Sequence, residues 1–443
     1  MSKPPPQSRA VTVPASRLAR LGRLGSMTAG VAGNMALGSV AELSRGRRPK
    51  MRDLLLTPGN ITRVTDQLAQ MRGAAMKVGQ LISMEGGDFL PPELSEIMTR
   101  LRNDAHFMPP AQLRRVLTGA WGTDWQRQFR GFDVRPIAAA SIGQVHRATA
   151  RDGRDLAIKV QYEGVARSID SDVANVGALI RMAGILPPGF EMAPYLEEAR
   201  AQLHEETDYV REGAHMARFG MLLAGDARFV LPELHEDLTT QTVLAMSYVP
   251  GAPIEAAAEE DQATRDRLMG DLIDLLLTEL FRFGLMQTDP NFANYRYDAG
   301  TSRIALLDFG ASREIAPEIA RLYRQLLIAG LDADAAGMEA AGEALRFISP
   351  QTAPAHRAQI LHMMELAFAA LRSDAPFDFA ATDLPRQMQT EGIALSEMGF
   401  VPPEVPMDVL YLQRKFGGMF LLGARLGARL PVARMLRDHL ERA

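Results

Sequence analysis

A short apolar run, Arg303-Ile304-Ala305-Leu306-Leu307, leads without a break into Asp308-Phe309-Gly310, and Asn294 and Asp289 stand fourteen and nineteen residues upstream. The run reads as a strand that delivers a carboxylate to its end, where glycine lets the chain turn. Asp308 is thereby placed as a hard oxygen ligand for magnesium. Asp289 and Asn294 lie in Gln287-Thr288-Asp289-Pro290-Asn291-Phe292-Ala293-Asn294. Their spacing lets one loop present a carboxylate to a phosphoryl acceptor and an amide oxygen to a second metal. Singly these pieces are common, and a Pro-containing loop also uses Asp and Asn for side-chain turns. The ordered set is far more specific than any part.

A third piece is Leu156-Ala157-Ile158-Lys159, a strand whose lysine is expected to reach the α- and β-phosphates of a nucleotide. The bland alternative is an exposed edge lysine that blocks strand pairing. Its acidic partner is expected on a long helix that follows, among Glu205, Glu206 and Asp208; spacing does not settle which acid pairs with Lys159, and Glu206 is the preferred candidate. A zinc-protease reading of His204-Glu205 fails because Asp208, not histidine, occupies the fourth place after His204. Ahead of Lys159, where a protein kinase carries G-x-G-x-x-G, stand Ala138-Ala139-Ala140-Ser141-Ile142-Gly143. Each alanine adds a Cβ that hinders close approach of backbone to phosphate, so the nucleotide grip is expected to differ from an ordinary kinase's.

The rest of the chain frames these segments. Its 443 residues suit two or three structural units, and a net charge of −4 leaves no basic excess for nucleic acid. With no cysteine, disulfides and thiolate chemistry are excluded, and no two of the eight histidines have the spacing of a zinc site. Residues 1–52 carry ten basic side chains against the single acid Glu42 and enclose an uncharged stretch, 24–41, whose length admits a membrane span. Its glycine, serine, threonine and asparagine content argues instead for a surface or self-associating helix. The basic flanks favour an anionic lipid surface, and a cleavable signal peptide is not expected.

Helical periodicity runs through Ile61, Val64, Leu68, Met71, Ala75 and Val78 with Asn60 as cap, and Pro91-Pro92 opens another helix. A further helix is expected over 111–129, then strands at 132–137, 142–148 and 156–161 with a turn at 151–154. Helices follow at 165–183 and 191–223, strands near 229–231 and 242–248, and mainly helix from 263 onward apart from the strand at 303–307.

Taken as a set, Lys77-Val78-Gly79-Gln80, Ala138-Ala139-Ala140-Ser141, Ala157-Ile158-Lys159-Val160-Gln161, Glu206-Thr207-Asp208-Tyr209-Val210-Arg211-Glu212, Gln287-Thr288-Asp289-Pro290-Asn291 and Leu307-Asp308-Phe309-Gly310 resemble the AarF/UbiB family of atypical kinases. The branch they resemble contains the mitochondrial coenzyme Q proteins. The resemblance implies an α+β, bilobed protein-kinase-like fold with an added N-terminal helical extension carrying the K-x-G-Q motif. The expected divisions are a basic extension at 1–52, the K-x-G-Q helices at 53–130, a kinase-like N-lobe at 131–250 and a helical C-lobe at 251–443, with a ligand cleft between the lobes.

The same resemblance implies that Lys77 and Gln80 sit on a helix over the cleft and meet the E-x-D pair Glu206 and Asp208. Lys77, Lys159 and Asp289 are implied as catalytic, Ala138, Ala139, Ala140, Ser141, Lys159 and Glu206 as nucleotide-binding, and Asn294 and Asp308 as metal ligands. The cofactors implied are ATP and Mg2+, in support of ubiquinone biosynthesis. The implied partners are an anionic membrane surface, ubiquinone-precursor-like lipids and ubiquinone-biosynthesis proteins. A homodimer is left open. Location is expected to be cytoplasmic and peripheral at a bacterial inner membrane.

Two features bear on substrate and anchoring. Ala316-Pro317-Glu318 follows Gly310 too closely to enclose a peptide groove and reads as a helix start, with Pro317 in the first turn. The family branch ends in apolar spans, but the run at 419–429 is interrupted by Arg425 and Arg429, so no carboxy-terminal span is expected. A non-catalytic nucleotide-gated scaffold and a small-molecule kinase are the competing readings.

Overall fold

The computed structural model describes residues 68, 71–86, 107–183, 191–373 and 375–442. In chain order its first elements are α1 (Arg72–Gly86), α2 (Pro110–Trp121), β1 (Phe129–Phe132), β2 (Ala138–Ala139), β3 (Gly143–Ala150), β4 (Asp155–Gln161), α3 (Val165–Ala183), α4 (Ala193–Glu206), α5 (Tyr209–Leu222), β5 (Phe229–Val230), β6 (Val243–Ser247) and β7 (Ala252–Pro253). There follow α6 (Gln262–Thr278), β8 (Leu285–Gln287), β9 (Tyr295–Asp298), β10 (Arg303–Leu306), β11 (Ser312–Glu314), α7 (Pro317–Leu331), α8 (Ala335–Ala344) and α9 (Pro354–Leu371). The last are β12 (Phe377–Asp378), α10 (Leu384–Glu397), α11 (Met407–Leu426), β13 (Arg429–Leu430) and α12 (Val432–Arg442). The chain divides into two compact units. The first takes the described residues up to Ala214 with Glu233–Tyr248, and the second takes His215–Pro232 with the described residues from Val249.

In the first unit β1, β3, β4 and β6 form an antiparallel sheet in that order, with β2 also paired to β3. Leu156, Ile158 and Val160 alternate along β4 into a core shared with Leu113, Leu117 and Trp125. A strand's period of two then sends Ala157, Lys159 and Gln161 to the opposite face. α1 packs on α3 and α4. Gly73 on α1 lies so close to the turn after β2 that a Cβ there would stand 3.2 Å from the Ser141 carbonyl oxygen.

The second unit holds a sheet ordered β5-β10-β9-β7, a β8–β11 pair and a β12–β13 pair, set among helices α6 to α12. β10 runs parallel to β5 and antiparallel to β9.

Four expectations need correction. The strand placed at 132–137 is instead the separate β1 and β2, because Pro136 has no N–H to give a continuous ladder. The helix expected over 111–129 stops at Trp121, where Gly122 adopts φ +85°. The pattern over 191–223 is two helices, because the Asp208 carboxylate accepts the Arg211 N–H at 3.0 Å and starts α5 afresh. The region after 263 also carries β8, β9, β11, β12 and β13, the clearest being β9, whose Tyr295 and Tyr297 alternate into the core against β10.

Among the described residues no helix is long and apolar enough to cross a membrane. The stretch 24–41, the Asn60 cap and the helix assigned to Pro91-Pro92 lie outside the described residues.

Candidate functional site

In the first unit the sheet sets Lys159 against the first turn of α5. Lys159 is 8% exposed, and its Nζ donates to both carboxylate oxygens of Glu212 at 2.8 and 2.9 Å. The ammonium also stands 5.3 Å from the centroid of the Tyr209 ring, a favourable cation–π placement. Glu206, the preferred partner from sequence, does not pair with Lys159. It closes a salt bridge with Lys77 on α1 and accepts a hydrogen bond from the Ser141 hydroxyl at 2.7 Å. Asp208, expected to meet Lys77 or Gln80, instead gives its carboxylate to the cap of α5.

The reason is helical phase. Glu206 ends α4 and Glu212 lies in the first turn of α5, so the break at Thr207-Asp208 turns the two acids to different lysines. Lys77 is itself buried at 7% exposure, not the solvated surface charge that an isolated lysine usually is. Ala138 and Ala139 pair with Val145 and Gln144, and the Ala140 N–H donates to the Gly143 carbonyl, closing a tight turn through Ser141. The alanine segment, Ser141, Glu206 and Lys77 thus form one connected group, and Lys159 with Glu212 forms another.

In the second unit two short ladders converge. β9 and β10 pair Tyr295 with Leu306, and the Leu307 N–H continues the ladder to the Asn294 carbonyl at 3.0 Å. Asp308 therefore follows directly on the residue bonded to Asn294. β8 and β11 pair Gln287 with Ser312, and both the N–H and the hydroxyl of Thr288 donate to the Ala311 carbonyl. That ladder brings the segment leading to Asp289 beside the chain leaving Gly310. Backbone pairing alone draws Asp289, Asn294 and Asp308 together.

The side chains then differentiate. The Gly310 N–H donates to Asp308 Oδ1 at 2.9 Å, and Phe309 is buried with its ring 5.2 Å from that of Phe219. Asn294 Nδ2 donates to the Asp289 carbonyl and carboxylate at 3.3 Å each. Its Oδ1 is then the acceptor that remains for a cation. One carboxylate and one amide oxygen suit magnesium, which keeps several waters and binds through few protein ligands plus phosphate. Among the described residues no group of three or more His, Cys, Asp or Glu side chains comes together as a metal-ligand set. The segment after Gly310 is β11, and α7 begins at Pro317 with Glu318 in its first turn.

Sequence reasoning misses four residues behind these groups. Arg414 Nη2 lies 2.9 Å from Asp289 Oδ1. Lys415, 3% exposed, donates to Gln287 Oε1 at 2.8 Å and to the Tyr295 hydroxyl at 2.7 Å. Glu279, in the π-helical turn Glu279–Phe283 after α6, is 2% exposed. The fourth is Glu212. A cavity of about 10 Å³ touches Glu279, Asn294, Asp308 and Phe309. A larger cavity of this unit, about 420 Å³, is lined by residues such as Arg228, Asp274, Phe283 and His439 and holds none of the residues picked out from sequence.

Burial raises the Glu279 carboxyl to about 7 from the usual 4.5, outweighing the nearby Lys415 ammonium and a hydrogen bond from the Gln287 backbone. Between those two pH values the folded chain holds a proton that the unfolded chain has released, so stability falls as pH rises through the window. At about 1.4 kcal/mol per pH unit this amounts to about 3 kcal/mol. Glu279→Gln should therefore be more stable than the parent at pH 8 by up to about that amount. The advantage should fade towards pH 4, a comparison that urea midpoints at the two pH values check.

Comparison with known proteins adds four findings. A family model described as the ABC1 atypical kinase-like domain matches residues 100–341. The chain is 36% identical over 432 residues to "Atypical kinase COQ8, mitochondrial" of Saccharomyces cerevisiae, covering 96% of this chain and 85% of that protein. It is 35% identical over 442 residues to "Atypical kinase COQ8B, mitochondrial" of Rattus norvegicus, covering 98% and 83%. Among solved structures, the complex of Rv3197 with erythromycin from Mycobacterium tuberculosis matches with a TM-score of 0.55 at 24% identity, covering 84% of this chain and 94% of that one. The last is a likeness of fold.

Proposed function

The chain belongs to the ABC1 atypical kinase-like family and has an α+β, kinase-like fold, and on that premise we propose that it is an ATP- and magnesium-dependent phosphotransferase or ATPase supporting coenzyme Q biosynthesis at a membrane surface. The observation that carries the reading is the buried Lys159–Glu212 pair. Burying two charges costs several kcal/mol per ion, and hydrophobic residues of similar volume would serve stability as well. A lysine held this way is held for its charge, and the strand that bears it is the one expected to serve the phosphates.

Lys159 binds the α- and β-phosphates and Glu212 fixes its ammonium. Asp308 and Asn294 would hold a magnesium ion through their side-chain oxygens. Asp289 orients the nucleophile, water or an acceptor hydroxyl. The alanine turn at 138–140 and Ser141 would contact the nucleotide, and Lys77, Glu206 and Gln80 would act on acceptor access. When bound, ATP would supply the phosphoryl group and its magnesium would neutralise the charge that develops on transfer. The short passage from Gly310 to Pro317 favours a small or lipid-borne acceptor, of the ubiquinone-precursor kind, over a peptide. The basic flanks of the 24–41 stretch support attachment to an anionic lipid surface, which we read as peripheral attachment at a bacterial inner membrane.

Single-turnover phosphate release from ATP by the full chain, with and without vesicles containing anionic lipid, tests the reading. Magnesium-dependent release that rises with the vesicles is expected. Tight nucleotide binding with no release would replace this reading with a nucleotide-gated scaffold.

A further inference from the structure

α11 makes its contacts with the Asp289 loop from one face. Arg414 meets Asp289, Lys415 meets Gln287 and Tyr295, and a Cβ added at Gly418 would stand 2.1 Å from Pro290 Cβ. Positions 414, 415 and 418 share a helix face, and each touches a residue at or within the ends of the segment 287–295. Resting on the role given to Asp289 above, we propose that Arg414 is a positioning residue for Asp289, with Lys415 and Gly418 seating α11 against the same loop.

An aspartate followed by proline in a surface loop has several rotamers open to it. Here both carboxylate oxygens are held, Oδ1 by Arg414 and Oδ2 by Asn294 Nδ2. These two holds come from different elements, one from a buried helix and one from the loop itself, so they select a single orientation. A guanidinium suits the task because its donors are planar and their direction is set. Lys415 gives α11 its register. A buried ammonium with hydrogen bonds to Gln287 and Tyr295 cannot slide along the helix axis without losing both. Burial acts to lower the Lys415 pKa, but Tyr295 and Glu279 outweigh it and hold the group above the usual lysine range. Gly418 lets helix backbone and Pro290 meet directly, so the loop can seat closely against α11. Orientation of this kind is worth a great deal where phosphoryl transfer depends on positioning, since a displacement of about 1 Å costs about a hundredfold.

The experiment compares Arg414→Met, which keeps bulk without charge, with Arg414→Lys, which keeps charge without the planar fork. The readouts are single-turnover rate, KM for ATP, unfolding temperature and hydrogen exchange of the peptide spanning 287–296. The Met variant should turn over about a hundredfold more slowly, with KM for ATP within about twofold, a small change in unfolding temperature and faster exchange in 287–296. The Lys variant should recover part of the rate. An unchanged rate with unchanged exchange would overturn the proposal, as would a rate loss tracking a general loss of stability. Faster exchange in the Met variant of a parent that turns over no ATP would uphold the positioning role and sink the phosphotransfer reading instead. Should the Met variant fail to fold, Arg414→Gln carries the same comparison.

Discussion

Replacing Glu212 with alanine lowers the stability of the chain by about 3–5 kcal/mol, because it leaves the Lys159 ammonium in the interior without its carboxylate. Lys159 and Glu212 are 8% and 3% exposed, so water cannot take the carboxylate's place cheaply. The cation–π contact with Tyr209 remains, and its contribution of about 2 kcal/mol does not make up for the lost carboxylate. Replacing both partners, Lys159→Met with Glu212→Leu, should recover most of the lost stability, since a buried ion pair and a well-packed apolar pair are of similar worth. The double variant should nevertheless bind no nucleotide. Urea denaturation of the parent, the single and the double variant reads the first part, and nucleotide titration reads the second. A double variant as unstable as the single one would show that the pair is there for the fold rather than for its charge.

Asp308→Asn has a large expected effect on activity and a small one on the fold. The Gly310 N–H bonds to Asp308 Oδ1, an acceptor that asparagine also provides, and the β10 ladder that carries position 308 does not involve its side chain. What disappears is the negative oxygen that a hard cation requires. A metal supplies several kcal/mol of charge stabilisation in phosphoryl transfer. At about 1.4 kcal/mol per factor of ten, turnover should fall on the order of a hundred- to a thousandfold. Circular dichroism and the urea midpoint should stay close to the parent's while the single-turnover rate collapses.

Much of this site is legible in the amino-acid sequence, because its parts rest on local rules. The strand period puts Lys159 on the face away from Leu156, Ile158 and Val160. The apolar run at 303–307 identifies the strand that ends beside Asp308, and Gly153 marks the turn at 151–154 between β3 and β4. The partner of Lys159 is not legible, since the sequence from 191 to 223 reads as continuous helix. Only the cap at Asp208 shows that the phase restarts there and carries Glu212, not Glu206, to the strand. An aspartate four residues before a glutamate is the available signal, and it is weak. Arg414 and Lys415 are out of reach for another reason. They lie more than a hundred positions from their partners in the loop, and a lysine on a helix ordinarily reads as solvated charge. Nothing local distinguishes a buried one. Short strands such as β8 and β11, three residues each, fall below what an alternating pattern can reveal, yet they fix where Asp289 sits.

The most direct test of the proposed assignment of Asp308 to a nucleotide-bound magnesium is a thermal-shift titration of ATP, with and without magnesium, on the full chain and on Asp308→Asn. The predicted result is a magnesium-dependent stabilisation of the parent, worth about 2.7 kcal/mol at a hundredfold excess of ligand over its Kd, that is nearly absent in the variant. A variant stabilised as much as the parent, or a parent whose response ignores magnesium, would contradict the assignment of Asp308 to the cation.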